Sequence, residues 1–352
     1  MRKIIMVGPD INMKGGISAV NKTLLNSNSS AEDYVIKYIA SYVDGSILVK
    51  LFVAIKGLLQ MLLLLLFFNP RIIHIHSASR GSFRRKYFYY LLARAFNKKI
   101  IYHIHGAEFA IYYAEASLFE KKKIIKVLEN VDKVIALSNT WKNNLLKIAP
   151  SSNVEVVHNP VNIKNFKAKY NPSNEVNILF MGRLGKRKGV YDLLQAIEEI
   201  IISYPFVKLY LCGDGEINKV KEIIEKKNLS NNVFIPGWIN NEEKIKYIQK
   251  SDIYILPSYN EGLPISILEA MAGSLPIIST KIGGIPEAVS QGENGYLFTP
   301  GNIKEMKMYL IKLIEDKPLR ERLGKESLEI CRDNFDIEII NKNILKIYSL
   351  LY

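Results

Sequence analysis

Residues 176–189, VNILFMGRLGKRKG, carry the reading that decides the fold. Val176–Met181 is an apolar run of strand length, and it empties into a loop of glycine and positive charge from which a helical pattern opens at Gly189. A strand that feeds a helix through such a loop is half of a β-α-β unit. Downstream the alternation continues. Strand-like Val207–Cys212, Asn232–Ile235, Ile253–Leu256 and Pro276–Ser279 are separated by helical segments starting near Glu216, Asn241 and Pro264, and the tail from Asn302 to Tyr352 reads as helix alone.

Upstream of Asn165–Glu175, a polar stretch with a proline and no periodicity, the same grammar has already run once. Its strands are Lys3–Val7, Tyr34–Ile39, Arg71–Ile75, Lys99–Ile104, Lys133–Leu137 and Val154–Val157. Helical segments near Ile17–Asn26, Ile47–Phe67, Phe83–Phe96, Leu118–Glu129 and Thr140–Ile148 lie between them. The expectation is an α/β protein of two Rossmann-like, doubly wound domains facing a cleft: residues 1–165, residues 175–332, and a C-terminal helix over 333–352 packing back on the first domain. A length of 352 residues suits two domains, since one core seldom grows beyond roughly 250 to 300 residues.

Composition removes other classes. The apolar fraction of 48% and charged fraction of 23% are those of a globular chain, not of a disordered or fibrous one. Cys212 and Cys331 stand far apart with no CxxC spacing, which excludes a disulfide framework or thiolate zinc site and suits a reducing cytosol. The net charge of +14 is unevenly divided: residues 1–172 hold 25 Lys and Arg against 10 Asp and Glu, leaving +15, and the remaining 23 against 24 leave −1. No zinc-finger spacing, basic zipper or single-strand-binding motif accompanies that charge, so no nucleic-acid partner is expected. An anionic membrane surface or a phosphate-bearing substrate suits it better. The start, MRKIIMVGPD, has too short an apolar part for a signal peptide, so a cytoplasmic protein is expected. Ile47–Phe68 is interrupted by Lys50, Lys56 and Gln60, and its uninterrupted apolar run, Met61–Phe68, is too short to span a bilayer. It reads as a helix buried between a sheet and its neighbours, with a helix in the membrane interface as the alternative.

In open parallel sheets ligands bind beyond the carboxyl ends of the strands. Four loops in that position stand out: GPDINMKGG after the first strand, HGAE after Ile104, GRLGKRKG after Met181 and PSYNEGLP after Leu256. In GRLGKRKG, Arg183, Lys186, Arg187 and Lys188 lie next to a helix start, an arrangement suited to a diphosphate or, more plainly, to a solvated basic loop. GxxxxGK[ST] and GxGxxG are absent, so neither a P-loop nor a nicotinamide fingerprint is present. In PSYNEGLPISILEAM, Pro264 suits the first helical position. Glu261 then falls in the loop ahead of the helix and Glu269 more than a turn inside it, one placed for sugar hydroxyls and the other for a ribose diol; alternatively, both are ordinary carboxylates near a helix terminus.

These residues carry a resemblance. Glu261-Gly-Leu-Pro-Ile-Ser-Ile-Leu-Glu269, followed by AMAGSLPIISTKIGGIPEAV, resembles the two-glutamate signature of the retaining glycosyltransferases of family 4, which have the GT-B fold and include bacterial surface-polysaccharide enzymes. GGIS at Gly15–Ser18, IIHIHS at Ile72–Ser77, HG at His105, HNPV at His158–Val161, CGDGE at Cys212–Glu216 and IPGW at Ile235–Trp238 extend it over nearly the whole chain in the family's order. The resemblance implies that Arg183 and Lys188 bind the donor diphosphate, that Glu261 contacts the transferred sugar and that Glu269 holds the ribose. It places the backbone of Gly182, Gly262, Leu263, Ser266 and Ile267 against sugar and phosphate, and Trp238 and Ile239 at the nucleobase. Gly16 would approach the phosphates or acceptor closely, and His105 would meet the donor sugar near the reacting carbon. It further implies transfer with retention from a nucleotide-diphosphate sugar, with UDP as the expected nucleotide, to a lipid-linked saccharide; a soluble acceptor or a nucleotide-sugar epimerase are the alternatives.

No D-x-D triplet occurs, so no metal and no cofactor are expected, Arg183 and Lys188 standing in for the metal. His74 and His76 on one strand, and His103 and His105 on another, are read as pairs divided between the faces of the sheet. His74, His76 and His103 are then structural or cleft-lining, since a third and fourth metal ligand have no evident source. In SRGSFRRKYFYYLLARAF, residues 79–96, Arg80, Arg84, Arg85 and Lys86 alternate with aromatics. They are candidates for the acceptor or for the anionic inner face of the plasma membrane, or else belong to a helix with buried rings and exposed cations.

Overall fold

Every strand among the described residues pairs in parallel with its neighbours. The helix between successive strands returns the chain to the starting edge, so no hairpin is available. The protein is known here through a computed structural model that describes residues 1–28, 33–166 and 174–352. It divides into two units, Met1–Pro160 with Ile337–Tyr352, and Val161–Asp336.

The first unit runs β1 (Arg2–Gly8), α1 (Gly16–Asn28), β2 (Tyr34–Ala40), α2 (Ile47–Leu63, continued as a π-helix over Leu64–Phe68), β3 (Ile72–Ser77), α3 (Gly81–Ala95), β4 (Lys99–Ile104), α4 (Phe109–Glu115), α5 (Leu118–Asn130), β5 (Lys133–Ala136), α6 (Asn139–Ile148) and β6 (Val154–Val156). Its strand order is β2-β1-β3-β4-β5-β6, so the direction of winding reverses between β1 and β3. The central strands, IIMV, IIHI and IIYHI, are buried on both faces, which is why they read as continuous rather than alternating apolar runs.

The second unit runs β7 (Val176–Met181), α7 (Val190–Ser203), β8 (Val207–Cys212), α8 (Ile217–Lys226), β9 (Val233–Gly237), α9 (Asn241–Lys250), β10 (Ile253–Leu256), α10 (Ile265–Ala272), β11 (Ile277–Thr280), α11 (Ile285–Ala288), β12 (Gly295–Phe298), α12 (Ile303–Glu315) and α13 (Lys317–Phe335). Its order is β12-β11-β10-β7-β8-β9, with the reversal between β7 and β10. The last helix, α14 (Ile337–Leu351), belongs to the first unit and packs on α1. Its Tyr348 hydroxyl lies 2.7 Å from His74 Nδ1.

The passage into the second unit is at Val161, whose amide donates to the Phe335 carbonyl, and not in Asn165–Glu175, of which residues 167–173 lie outside the described residues. Sequence reading passed over β12, α4 and α11, segments of four to seven residues. Helix α2 is not buried between a sheet and its neighbours. Only Gly57, Met61 and Leu65 of it are buried, while Phe52, Leu59 and Phe67 are 66%, 57% and 82% exposed. In α3 the rings of Phe83, Tyr89 and Tyr90 are core, and Lys86 cannot serve an acceptor or a membrane, because it is 1% exposed and bonded to the Ser41 hydroxyl. Arg80 pairs with Glu115 at 2.7 Å, Arg84 with Glu120 at 2.9 Å, and the Arg85 guanidinium lies 4.3 Å from the Tyr42 ring centroid.

Candidate active site

The reversal of winding between β7 and β10 opens a crevice at the carboxyl ends of these strands, and the two most telling loops of the sequence leave from there. Gly189 turns the first of them into α7 at φ +70°, and a Cβ on it would stand 2.0 Å from the Pro257 carbonyl oxygen. Only glycine lets the two loops touch. Gly283, at φ +54°, makes the matching contact from beyond β11: its Cβ would fall 2.1 Å from the Glu261 carbonyl oxygen. The loop carrying Glu261 is thus held from both sides. Tyr259 adds an amide bond to the Arg187 carbonyl at 2.9 Å and a hydroxyl bond to Asp192 at 2.7 Å.

Within this frame Lys188 Nζ donates to Glu261 Oε1, with side chains only 14% and 8% exposed. A buried charge pair is costly to desolvate and is retained when each charge fixes the other's position. Arg183 is exposed at the mouth of the same loop and forms no ion pair among the described residues. Gly182 follows β7 with its amide bonded to Cys212. Glu269, on α10, accepts from Lys244 on α9. Pro264 occupies the cap position and the helix starts at Ile265, one residue later than its proline suggested. The Ile267 amide is engaged by the Pro264 carbonyl at 3.2 Å and its side chain is core, so Ile267 offers a ligand less than Ser266 does. Gly262 and Leu263 are buried in the loop between. Trp238 is 47% exposed immediately after β9, with Ile239 half-buried beside it.

Two family models match the chain, "Glycosyl transferases group 1" over residues 162–329 and "Glycosyltransferase Family 4" over residues 31–165. The chain belongs to the family 4 glycosyltransferases, with the GT-B fold. Among relatives of this glycosyltransferase are N-acetyl-alpha-D-glucosaminyl L-malate synthase of Bacillus anthracis, 28% identical over 71% of this chain and 67% of that one, and the capsular polysaccharide biosynthesis glycosyltransferase CapM of Staphylococcus aureus, 25% identical over 68% and 65%. Sucrose-phosphate synthase of Thermosynechococcus elongatus superposes with a TM-score of 0.87 at 19% identity, covering 100% of this chain and 99% of that one. HepE of Anabaena in complex with UDP-glucose superposes at 0.79 and 19% identity, covering 99% and 100%.

The first unit of the glycosyltransferase has its own strand-end features. Gly16 is exposed as the first residue of α1, but the residue that uses glycine's freedom is Gly15, at φ +142°. His105 follows β4, with its amide on the Ser77 carbonyl and its Nε2 2.8 Å from His76 Nδ1. The histidine pairs are not divided between faces. Residues two apart on a strand point the same way, and His74 and His76 stack with ring centroids 4.3 Å apart, His103 and His105 at 4.1 Å. Burial lowers the His74 and His105 pKa to about 3 and holds His76 and His103 well below the usual imidazole range. The ring nitrogens of His74, His76 and His103 come within 4.8 Å of one another, close enough to raise a metal site. The fit is poor: His74 has both nitrogens engaged, by Tyr348 and His103, and stacked rings do not aim their in-plane lone pairs at one point.

Sequence reasoning missed Lys244, the partner of Glu269, and read His76 as structural or cleft-lining without seeing it as the partner of His105. Nothing local marks Lys244, which meets Glu269 only because the fold brings α9 close to the end of α10, where Ile248 stands against Gly273. The i, i+2 spacing of two histidine pairs on adjacent strands was the signal for His76.

Proposed function

We propose that the glycosyltransferase moves a sugar from a UDP-sugar, with retention of anomeric configuration and without a metal, to a hydroxyl of a lipid-linked saccharide in bacterial cell-surface polysaccharide synthesis. It would work in the cytoplasm at the inner face of the plasma membrane. One observation carries the donor half: the buried Lys188–Glu261 pair, with Arg183 beside it, at the point where the second sheet reverses. A diphosphate entering there meets Arg183 and Lys188, and the Ser266 amide at the start of α10 adds a helix-terminal donor. Glu261, already oriented by Lys188, accepts from hydroxyls of the transferred sugar. Glu269, oriented by Lys244, accepts from the ribose, and Trp238 with Ile239 offers an apolar wall to the base. HepE, a fold neighbour, binds UDP-glucose, which supports the choice of uridine.

In the transfer the bond between the anomeric carbon and the diphosphate oxygen breaks as the acceptor oxygen attacks from the same face. The acceptor proton passes to the leaving phosphate, whose charge Arg183 and Lys188 neutralise. Catalysis then rests on positioning and charge stabilisation. His105, kept neutral by burial, is suited to hydrogen bonding to the donor sugar and not to ion pairing. The capsular enzyme among the relatives and the +15 of residues 1–172 support a surface-polysaccharide acceptor. A thermal-shift panel of nucleoside diphosphates tests the donor. UDP is expected to raise the melting temperature; stabilisation by a purine diphosphate alone would overturn the choice of base. The anomeric configuration of the product, read by NMR, tests retention.

A further inference from the structure

We infer that α2 lies flat in a lipid bilayer, with its outer face immersed and its inner face bonded into the protein. The membrane contact then lies not on the cations of α3 but on Ile47–Phe68, the segment for which an interfacial helix was the alternative reading. It rests on the proposed membrane association only for the sign of the lipid charge.

Ile47–Phe68 is a continuous helix of 22 residues with mean hydropathy 2.4, yet only 17% of its most apolar window is buried. Leu48, Phe52, Ile55, Leu59, Leu63 and Leu66 recur at intervals of three or four, all between 50% and 77% exposed. This stripe lies opposite the buried Gly57, Met61 and Leu65. A helix on a water-facing surface carries its polar residues outward; a broad apolar stripe turned outward, as here beside exposed Lys56 and Gln60, calls for protein or lipid over it. Here protein supplies one side only. Beside it, α3 adds Phe88 and Leu91, 57% and 41% exposed, which widens the apolar surface beyond what a monomer ordinarily shows to water.

Length alone permits a span, since 22 residues rise about 33 Å. The inner contacts forbid it. At Gly57 the helix comes so near the sheet that a Cβ would lie 2.3 Å from the Tyr89 hydroxyl and 2.9 Å from the Ala40 carbonyl oxygen. The helix cannot cross the bilayer without drawing β2 and α3 in with it, so it lies in the plane, to the depth of roughly 5–10 Å usual for interfacial helices.

Charge selects lipid over a second copy of the chain. The helix carries Lys50 and Lys56 and no acid, within a half of the chain at +15. Two such faces meeting would set like charges together, whereas an anionic leaflet supplies the opposite sign.

Flotation of the full chain with phosphatidylcholine vesicles, with and without phosphatidylglycerol and with no donor or acceptor present, tests this. Wild type is expected to float with the anionic vesicles. Phe52→Gln/Leu59→Gln, both positions exposed and so neutral to folding, is expected to lower the partition coefficient about a hundredfold. Ile202→Gln, at a still more exposed apolar residue of α7, is the control and should float as wild type does. Equal flotation of the double variant would overturn α2 as the seat while leaving membrane association standing. A wild type that ignores vesicles and sediments as a dimer, which the double variant dissolves, would show a second copy on this face and overturn the inference. Neither result would touch glycosyl transfer.

Discussion

Single residues of this glycosyltransferase are defined by partners that are distant in sequence. Glu261 and Glu269 were legible because their spacing forms a recognisable motif, but Lys188 lies 73 residues from Glu261 and Lys244 lies 25 from Glu269. What a motif cannot express is that each carboxylate is already held by a lysine before any ligand arrives. The histidines make the same point with a pH signature. Their folded pKa values are lowered, so as pH falls the unfolded chain takes up protons near 6.5 before the folded one does. Stability is therefore expected to fall from about pH 6.5 toward pH 3, with each of the buried His74, His76 and His103 adding up to about 1.4 kcal/mol per pH unit to the slope. Denaturant midpoints measured across that range check this. His103→Gln should flatten the slope by about one proton, and an unchanged slope would mean that His103 titrates alike in both states.

Among elements, the strands were legible and the helices only in part. Val176–Met181 and Ile253–Leu256, buried throughout, and Val207–Cys212, which alternates buried and half-buried residues, were read to the residue, because glycine, proline or charge close to both ends of each run announces its length. Helix α2 was read first as core for a physical reason: a broad apolar stripe says that this stripe avoids water, but not whether its neighbour is protein or lipid. Loops show the opposite bias, since their glycines look like flexibility and act as fixed contacts. Gly189→Ala is expected to destabilise the second unit by on the order of 3 kcal/mol, through a positive φ and a Cβ driven into the Pro257 carbonyl. It should also weaken UDP binding by displacing Lys188. Calorimetry with and without UDP measures both, and a variant as stable as wild type would show that the two loops do not need their close approach.

At the scale of the whole chain, charge is divided as the two units are. The second unit is close to neutral and concentrates cations where its sheet reverses. The first carries the excess, and its exposed apolar helix gives that excess a surface to act on. The central claim is that the reversal point of the second sheet binds the diphosphate of a nucleotide sugar through Arg183 and Lys188. Arg183 is the sharper probe, being exposed and free of ion pairs among the described residues, so its loss leaves no buried charge behind. The most direct test is kcat/KM for sugar transfer by Arg183→Ala, compared with wild type at equal thermal stability. The expected result is a loss of about 10²- to 10³-fold, as for removal of one group that stabilises developing charge; turnover near that of wild type would contradict the account.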